Sequence, residues 1–163
     1  MKKEILIPTE TVNPRTKKLD VSSPRQIARL INAEDFNAAR AVQKAGPAIA
    51  KAVDLAAKTF LAGHKIIFIG AGTSGRLGVL EAAECVPTFG TDPEQIIGLI
   101  AGGKEAMFRA KEGAEDDAGQ GGRDILRLAG KKDFVIGLTA SGITPYVLGA
   151  LKAAQKIGCH TAL

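Results

Sequence analysis

Along the first 21 residues apolar side chains are scattered among polar ones, and Pro8 and Pro14 interrupt any period. This stretch is expected to be an extended arm. Ser22-Ser23-Pro24 then combines hydroxyl caps with a proline suited to a first helical turn, so a helix should start there and run to about Asn32. Phe36, Ala39 and Val42-Gln43 suggest a second helix that stops at Gly46. Pro47 opens a third, in which Ile49, Val53, Ala56-Ala57 and Phe60 keep helical spacing as far as Gly63.

Beyond Gly63 the period changes. Residues 65–69 form a continuous apolar run with β-branched members, the pattern of a strand buried on both faces. Comparable strands are expected near 95–100, 133–138 and 160–163. Between them the pattern predicts helices at 76–83, 104–112, 117–128 and 145–157, with Gly119, Gly121 and Gly122 weakening the third of these. Strands alternating with helices imply right-handed βαβ units, hence an α/β fold with a parallel sheet between two helical layers and a helical N-terminal section. The expected division is 1–46 for the arm and first helices and 47–163 for the α/β domain. The chain ends within the fourth strand, which leaves a sheet edge for a partner to cover or marks a piece of something longer.

Composition narrows the function classes. The 163 residues carry 22 Lys and Arg against 17 Asp and Glu, a net charge of +5. There is no Trp and one Tyr, so the stacking platforms of nucleic-acid binders are missing, and an anionic small molecule suits the mild basic excess. No apolar run approaches the roughly 20 residues that span a bilayer, and Ile5-Leu6-Ile7 is too short for a signal-peptide core. A cytoplasmic protein with no membrane partner is expected. Cys85 and Cys159 lie far apart and read as free thiols, and His64 and His160 lack metal-ligand spacing, so no metal is expected.

Chemistry concentrates in two loops. Gly70-Ala71-Gly72-Thr73-Ser74-Gly75 follows a strand and opens a helix, and it matches the GxGxxG dinucleotide pattern. However, the next strand ends in Ala101-Gly102-Gly103, without the acidic residue that would hold a ribose hydroxyl, so no nicotinamide cofactor is expected. Thr73 and Ser74 at the helix start suit a phosphate monoester, on which hydroxyls, unpaired backbone N–H groups and the helix dipole converge. The plainer reading is a tight turn with Ser/Thr capping, but one cap does not need three glycines and two hydroxyls. Thr139-Ala140-Ser141-Gly142-Ile143-Thr144-Pro145 repeats the arrangement after another buried strand. The phosphate-binding candidates are Gly72, Thr73, Ser74 and Gly75 with Ser141 and Thr144.

Together these loops look like those of the sugar isomerase (SIS) fold. Thr9-Glu10, Asn13-Pro14 and Leu30-Ile31-Asn32-Ala33-Glu34-Asp35 carry a closer resemblance, continued by Gly70-Ala71-Gly72-Thr73-Ser74-Gly75-Arg76-Leu77-Gly78. So do Ala83-Glu84-Cys85-Val86-Pro87-Thr88-Phe89-Gly90, Ile100-Ala101-Gly102-Gly103, Glu112-Gly113-Ala114-Glu115-Asp116-Asp117 and the run from Ala140 to Val147. Across nearly its whole length the chain resembles the N-acetylmuramic acid 6-phosphate etherase family. Val86 stands where that family usually has Pro, and Ile143 where it usually has Arg, which bears on anion binding at the second loop. Family members are nearly twice as long, so this chain is expected to show little etherase activity by itself.

The resemblance implies a carbon–oxygen lyase without cofactor, acting on a phosphorylated amino sugar as a homodimer. It implies that Glu84 and Glu115 are the catalytic pair. Glu84 would protonate the departing lactate and later activate water, and Glu115 would act at C2, where the open-chain aldehyde acidifies the proton. For Glu84 the plain alternative is a solvated helix residue, although small neighbours Ala82, Ala83 and Cys85 predict partial burial and a raised pKa. For Glu115 it is helix capping by Glu115-Asp116-Asp117. A helix unbroken from Gly75 to Glu84 would separate them by about 13 Å along its axis. Either the helix breaks, or Glu84 serves a site completed by a second subunit. A non-catalytic phosphosugar-binding module, similar to the glucokinase regulatory protein, is the competing reading.

Overall fold

The computed structural model describes residues 8–163, so the first seven residues of the expected arm lie outside the described part. The chain divides into two units, one ending at Ala52 and the other spanning Val53–Leu163.

In the first unit the arm contains two short 3₁₀ turns, Pro8–Glu10 and Leu19–Val21, and then α1 runs unbroken over Pro24–Lys44. Its start is the expected one. The Ser23 amide donates to Gln26 Oε1 at 2.8 Å, the Gln26 amide donates back to Ser23 Oγ at 3.4 Å, and Pro24 takes the first helical position. The expected break near Asn32 does not occur, because Ala33-Glu34-Asp35 contains neither Gly nor Pro. Arg15 adds a second anchor, its Nη2 donating to Glu34 Oε2 at 2.7 Å, which ties the arm to the middle of α1. Helix α2, Gly46–Leu61, crosses the division between the units.

The second unit is a four-stranded parallel sheet in the order β2-β1-β3-β4, made of β1 (Ile66–Gly70), β2 (Ile96–Ile100), β3 (Phe134–Leu138) and β4 (His160–Ala162). All four lie where the apolar runs place them. Helix α3 (Gly72–Phe89) packs on one face, where Gly78 meets Phe68 and Val79 meets Gly98. On the opposite face, Ile67, Ile69 and Val135 are buried with Ile125 of α4 (Ala118–Leu126) and Val147, Ala150 and Ala154 of α5 (Pro145–Lys156). The result is the expected three-layer α/β arrangement. Buried Asp133 fastens the start of β1 beside β3, its Oδ1 accepting from the Lys65 amide at 2.8 Å and its Oδ2 from the Gly130 amide at 2.7 Å.

Two helices differ from expectation. Helix α3 begins four residues early and continues through Pro87 to Phe89, closing where Gly90 turns left-handed at φ 65° and donates to the Val86 carbonyl. Residues 104–112 form only a 3₁₀ turn, Lys104–Met107, rather than a helix. Arg76 takes the carbonyls of Ala106 and Met107, which a continuing α-helix would need as acceptors.

Candidate functional site

In a parallel sheet every strand points its carboxyl end to the same edge, and there the loops after the neighbouring strands β1 and β3 emerge side by side. The first loop is tight. A Cβ on Gly70 would lie 2.6 Å from the Gly75 amide nitrogen, and one on Gly75 would lie 2.7 Å from the Gly70 carbonyl oxygen. Any side chain at either position would push the amino end of α3 away from the strand. Gly72 sits at φ 54°, in the left-handed region that favours glycine.

Helix α3 thus starts inside the expected loop, and Gly72, Thr73, Ser74 and Gly75 form its first turn. Ala71 precedes it without a side-chain cap, and no acidic residue lies in that turn. The Thr73 and Ser74 hydroxyls make no hydrogen bond among the described residues. The first turn of α3 therefore carries unpaired amides, two hydroxyls without a partner among the described residues, and the positive end of the helix dipole.

The second loop is differently occupied. Thr139 Oγ1 lies 2.8 Å from Thr144 Oγ1 and 3.4 Å from Ser141 Oγ, and it also accepts from the Gly142 amide at 3.3 Å. Ser141 and Thr144 belong to one hydroxyl cluster centred on Thr139, so a ligand there would compete with these bonds. Thr139 opens this loop in the sequence reading but was not itself among the phosphate-binding candidates.

A cavity of about 160 Å³ opens at the amino end of α3, lined by Ala71, Gly72, Arg76, Lys111 and Glu115 among others. The Glu115 carbonyl accepts from the Tyr146 amide at 2.9 Å, which fixes its backbone to the first turn of α5. Its carboxylate is exposed and has no hydrogen-bond or ion-pair partner among the described residues. The capping role belongs to Asp117, whose Oδ1 accepts from the Gln120 amide at 2.8 Å. Beneath the site Tyr146 is buried, its hydroxyl donating to Asp124 Oδ2 at 2.9 Å; burial first, then Asp124, pushes the phenol above its ordinary range.

Glu84 lies elsewhere. It is exposed, not partly enclosed as its small neighbours suggested, because only Gly75, Gly78 and Ala82 of α3 are buried. Nine residues beyond Gly75 it is about two and a half turns along the unbroken helix and faces away from the sheet. Exposed Leu77 and Leu80 precede it on α3. The structure therefore brings Gly72 and Glu115 to one cavity, sets Ser141 and Thr144 on the adjacent loop, and separates Glu84 from both. Arg76 and Lys111 join the cavity although neither was a sequence candidate. Arg76 follows the glycine loop directly and stands within the run that carries the resemblance, and those were its signals.

The chain matches the family described as the glucokinase regulatory protein N-terminal SIS domain over residues 48–155. It is 53% identical over 155 residues to the N-acetylmuramic acid 6-phosphate etherase of Serratia proteamaculans (strain 568), covering 94% of this chain and 52% of that protein. It is 50% identical over 158 residues to the etherase of Cutibacterium acnes (strain DSM 16379 / KPA171202), covering 96% of this chain and 52% of the other. The chain spans about half the length of the curated relatives it matches. Among solved structures, a phosphoheptose isomerase from Francisella tularensis shares the fold with a TM-score of 0.58 and 20% identity, covering 80% of this chain and 71% of that one.

Proposed function

The chain belongs to the glucokinase regulatory protein N-terminal SIS domain family, and on that premise we propose that it carries the phosphosugar site of an N-acetylmuramic acid 6-phosphate etherase. The observation that carries this reading is the partnerless Glu115 carboxylate on the same cavity as the amino end of α3. Sugar 6-phosphate binds the first-turn amides with Thr73 and Ser74, and Ser141 and Thr144 assist from the neighbouring loop. Glu115 removes the C2 proton of the open-chain sugar. The C3–O bond of the lactyl ether then breaks, Glu84 giving its proton to the departing lactate oxygen. Water adds to the resulting double bond at C3 with Glu84 taking its proton, and C2 is reprotonated by Glu115. The products are N-acetylglucosamine 6-phosphate and D-lactate, and the reaction is that of a cytoplasmic carbon–oxygen lyase.

Glu84 cannot reach the cavity of its own chain along an unbroken α3, so its role requires a homodimer in which it meets the partner's cavity. The exposed Leu77 and Leu80 support this, since apolar side chains on the same helix would be covered by the second copy.

Transfer of the C2 proton tests the reading, because it needs the cavity but not lactate departure. In D2O the chain is expected to exchange the C2 proton of N-acetylglucosamine 6-phosphate, followed by proton NMR, and Glu115→Gln is expected to stop it. Phosphosugar binding by calorimetry with no exchange in the native chain would favour the competing reading, a binding module, which the family match itself supports.

A further inference from the structure

Residues 104–112 read Lys-Glu-Ala-Met-Phe-Arg-Ala-Lys-Glu, a composition of good helix formers with no Gly or Pro. Yet they form only a 3₁₀ turn that ends at Met107, with Phe108 as its right-handed cap. The next turn of an α-helix would need the Ala110 amide on the Ala106 carbonyl and the Lys111 amide on the Met107 carbonyl. Both carbonyls bond Arg76 instead: Arg76 Nη2 donates to Ala106 at 2.7 Å, and Arg76 Nε donates to Met107 at 2.9 Å. A guanidinium reaches two successive carbonyls as a planar fork, which an ammonium cannot do. Buried Ala106 holds this end of the segment in place. The Arg109 amide still donates to the Glu105 carbonyl at 3.1 Å; beyond it the chain leaves the helical path, Lys111 Nζ donates to the Gly102 carbonyl at 3.4 Å, and Glu115 arrives where Tyr146 N–H anchors its carbonyl.

We propose that Arg76 is a positioning residue, whose fork competes with a helix for the Ala106 and Met107 carbonyls and so keeps residues 108–115 as a strap that sets Glu115 on the cavity. Arg76 stands in the second turn of α3, directly after the phosphate-loop glycines, so one helix carries both the anion site and the tether for the base. The role given to Glu115 rests on the etherase reading; the tether itself does not. Without the fork, both carbonyls lose the donor that satisfies them, the Ala110 and Lys111 amides replace it as residues 104–112 extend the 3₁₀ turn into an α-helix, and Glu115 is drawn from its place. The anion site, built from the first turn of α3, stays.

The test compares native chain, Arg76→Met and Arg76→Lys by backbone NMR and by C2 exchange. In Arg76→Met, Cα chemical shifts over 104–112 are expected to turn helical, and adding Ala110→Pro, which removes the amide that would bond Ala106, is expected to reverse them. C2 exchange is expected to fall about 100-fold in both variants, the cost of moving a reacting group by about 1 Å, while the dissociation constant for N-acetylglucosamine 6-phosphate, read in Arg76→Lys so that the cavity keeps its charge, changes less than about threefold. Arg76→Lys, which keeps the charge and stem, should show the same shift change and guards against misfolding of the Met variant. Unchanged shifts over 104–112 in a folded variant, or affinity lost in step with exchange, would overturn the tether. A native chain that exchanges no C2 proton would instead sink the etherase reading, and the shift comparison would still decide the tether.

Discussion

Ser74 is the half-buried hydroxyl of the α3 first turn, and its Oγ makes no hydrogen bond among the described residues. A phosphate oxygen bound there gains one charge-assisted hydrogen bond, worth about 1.5 kcal/mol at the lower end of such bonds. Ser74→Ala is therefore expected to weaken N-acetylglucosamine 6-phosphate binding about tenfold by calorimetry, and equal affinity would remove this hydroxyl from the site. In the first unit, the hydrogen bond from Arg15, helped by Asn13 and Asn37, holds the Glu34 carboxyl down at about 2 from an ordinary 4.5. A carboxyl whose value is lower folded than unfolded favours folding once pH exceeds the unfolded value, and that contribution is lost as pH falls through about 2. Carbon NMR of the Glu34 carboxyl should find its midpoint near 2, and Arg15→Ala should return it toward 4.5. The hydroxyl loops were legible at this scale, since each is a contiguous string of residues. Arg76 was not, because its partners lie 30 and 31 residues away and only folding reveals them.

Helices α4 and α5 approach each other through glycine. A Cβ on Gly121 would stand 1.9 Å from the Tyr146 carbonyl oxygen, and one on Gly149 would stand 2.0 Å from the Ala118 carbonyl oxygen. Gly122, one residue along, has nothing nearer than 3.6 Å to such an atom. Gly121→Ala is expected to destabilise by about 3 kcal/mol, as overpacking of a close contact does, whereas Gly122→Ala should gain up to about 1 kcal/mol of helix propensity. Thermal denaturation checks both, with the midpoint falling in the first variant and holding or rising in the second. From sequence these glycines only weakened the expected helix. In the structure Gly121 is what lets α4 lie against α5, and that contact also positions Tyr146, whose amide holds the Glu115 carbonyl. Pro87 acts against its usual preference. It normally ends a helix, yet α3 carries it within the final turn before the Gly90 cap.

For the whole molecule, the distance along α3 yields the expectation of a dimer. Light scattering should find two copies, and replacing Leu80 with Glu on the exposed face beside Glu84 should shift the species toward monomer while leaving phosphosugar binding in place. A native monomer would remove Glu84 from the proposed reaction. No helix among the described residues is long and apolar enough to cross a membrane. Four strands, their alternation with helices, and the two hydroxyl loops at one sheet edge were determined by the sequence itself, because apolar runs, caps and glycine turns act between residues close along the chain. Tertiary structure alone decided the strand order β2-β1-β3-β4, the continuous α3 that carries Glu84 away from the cavity, and the strap that brings Glu115 to it. Each depends on partners distant in sequence. Residues 104–112 show the reason most directly: their local preference is helical, and two hydrogen bonds from Arg76 outweigh it.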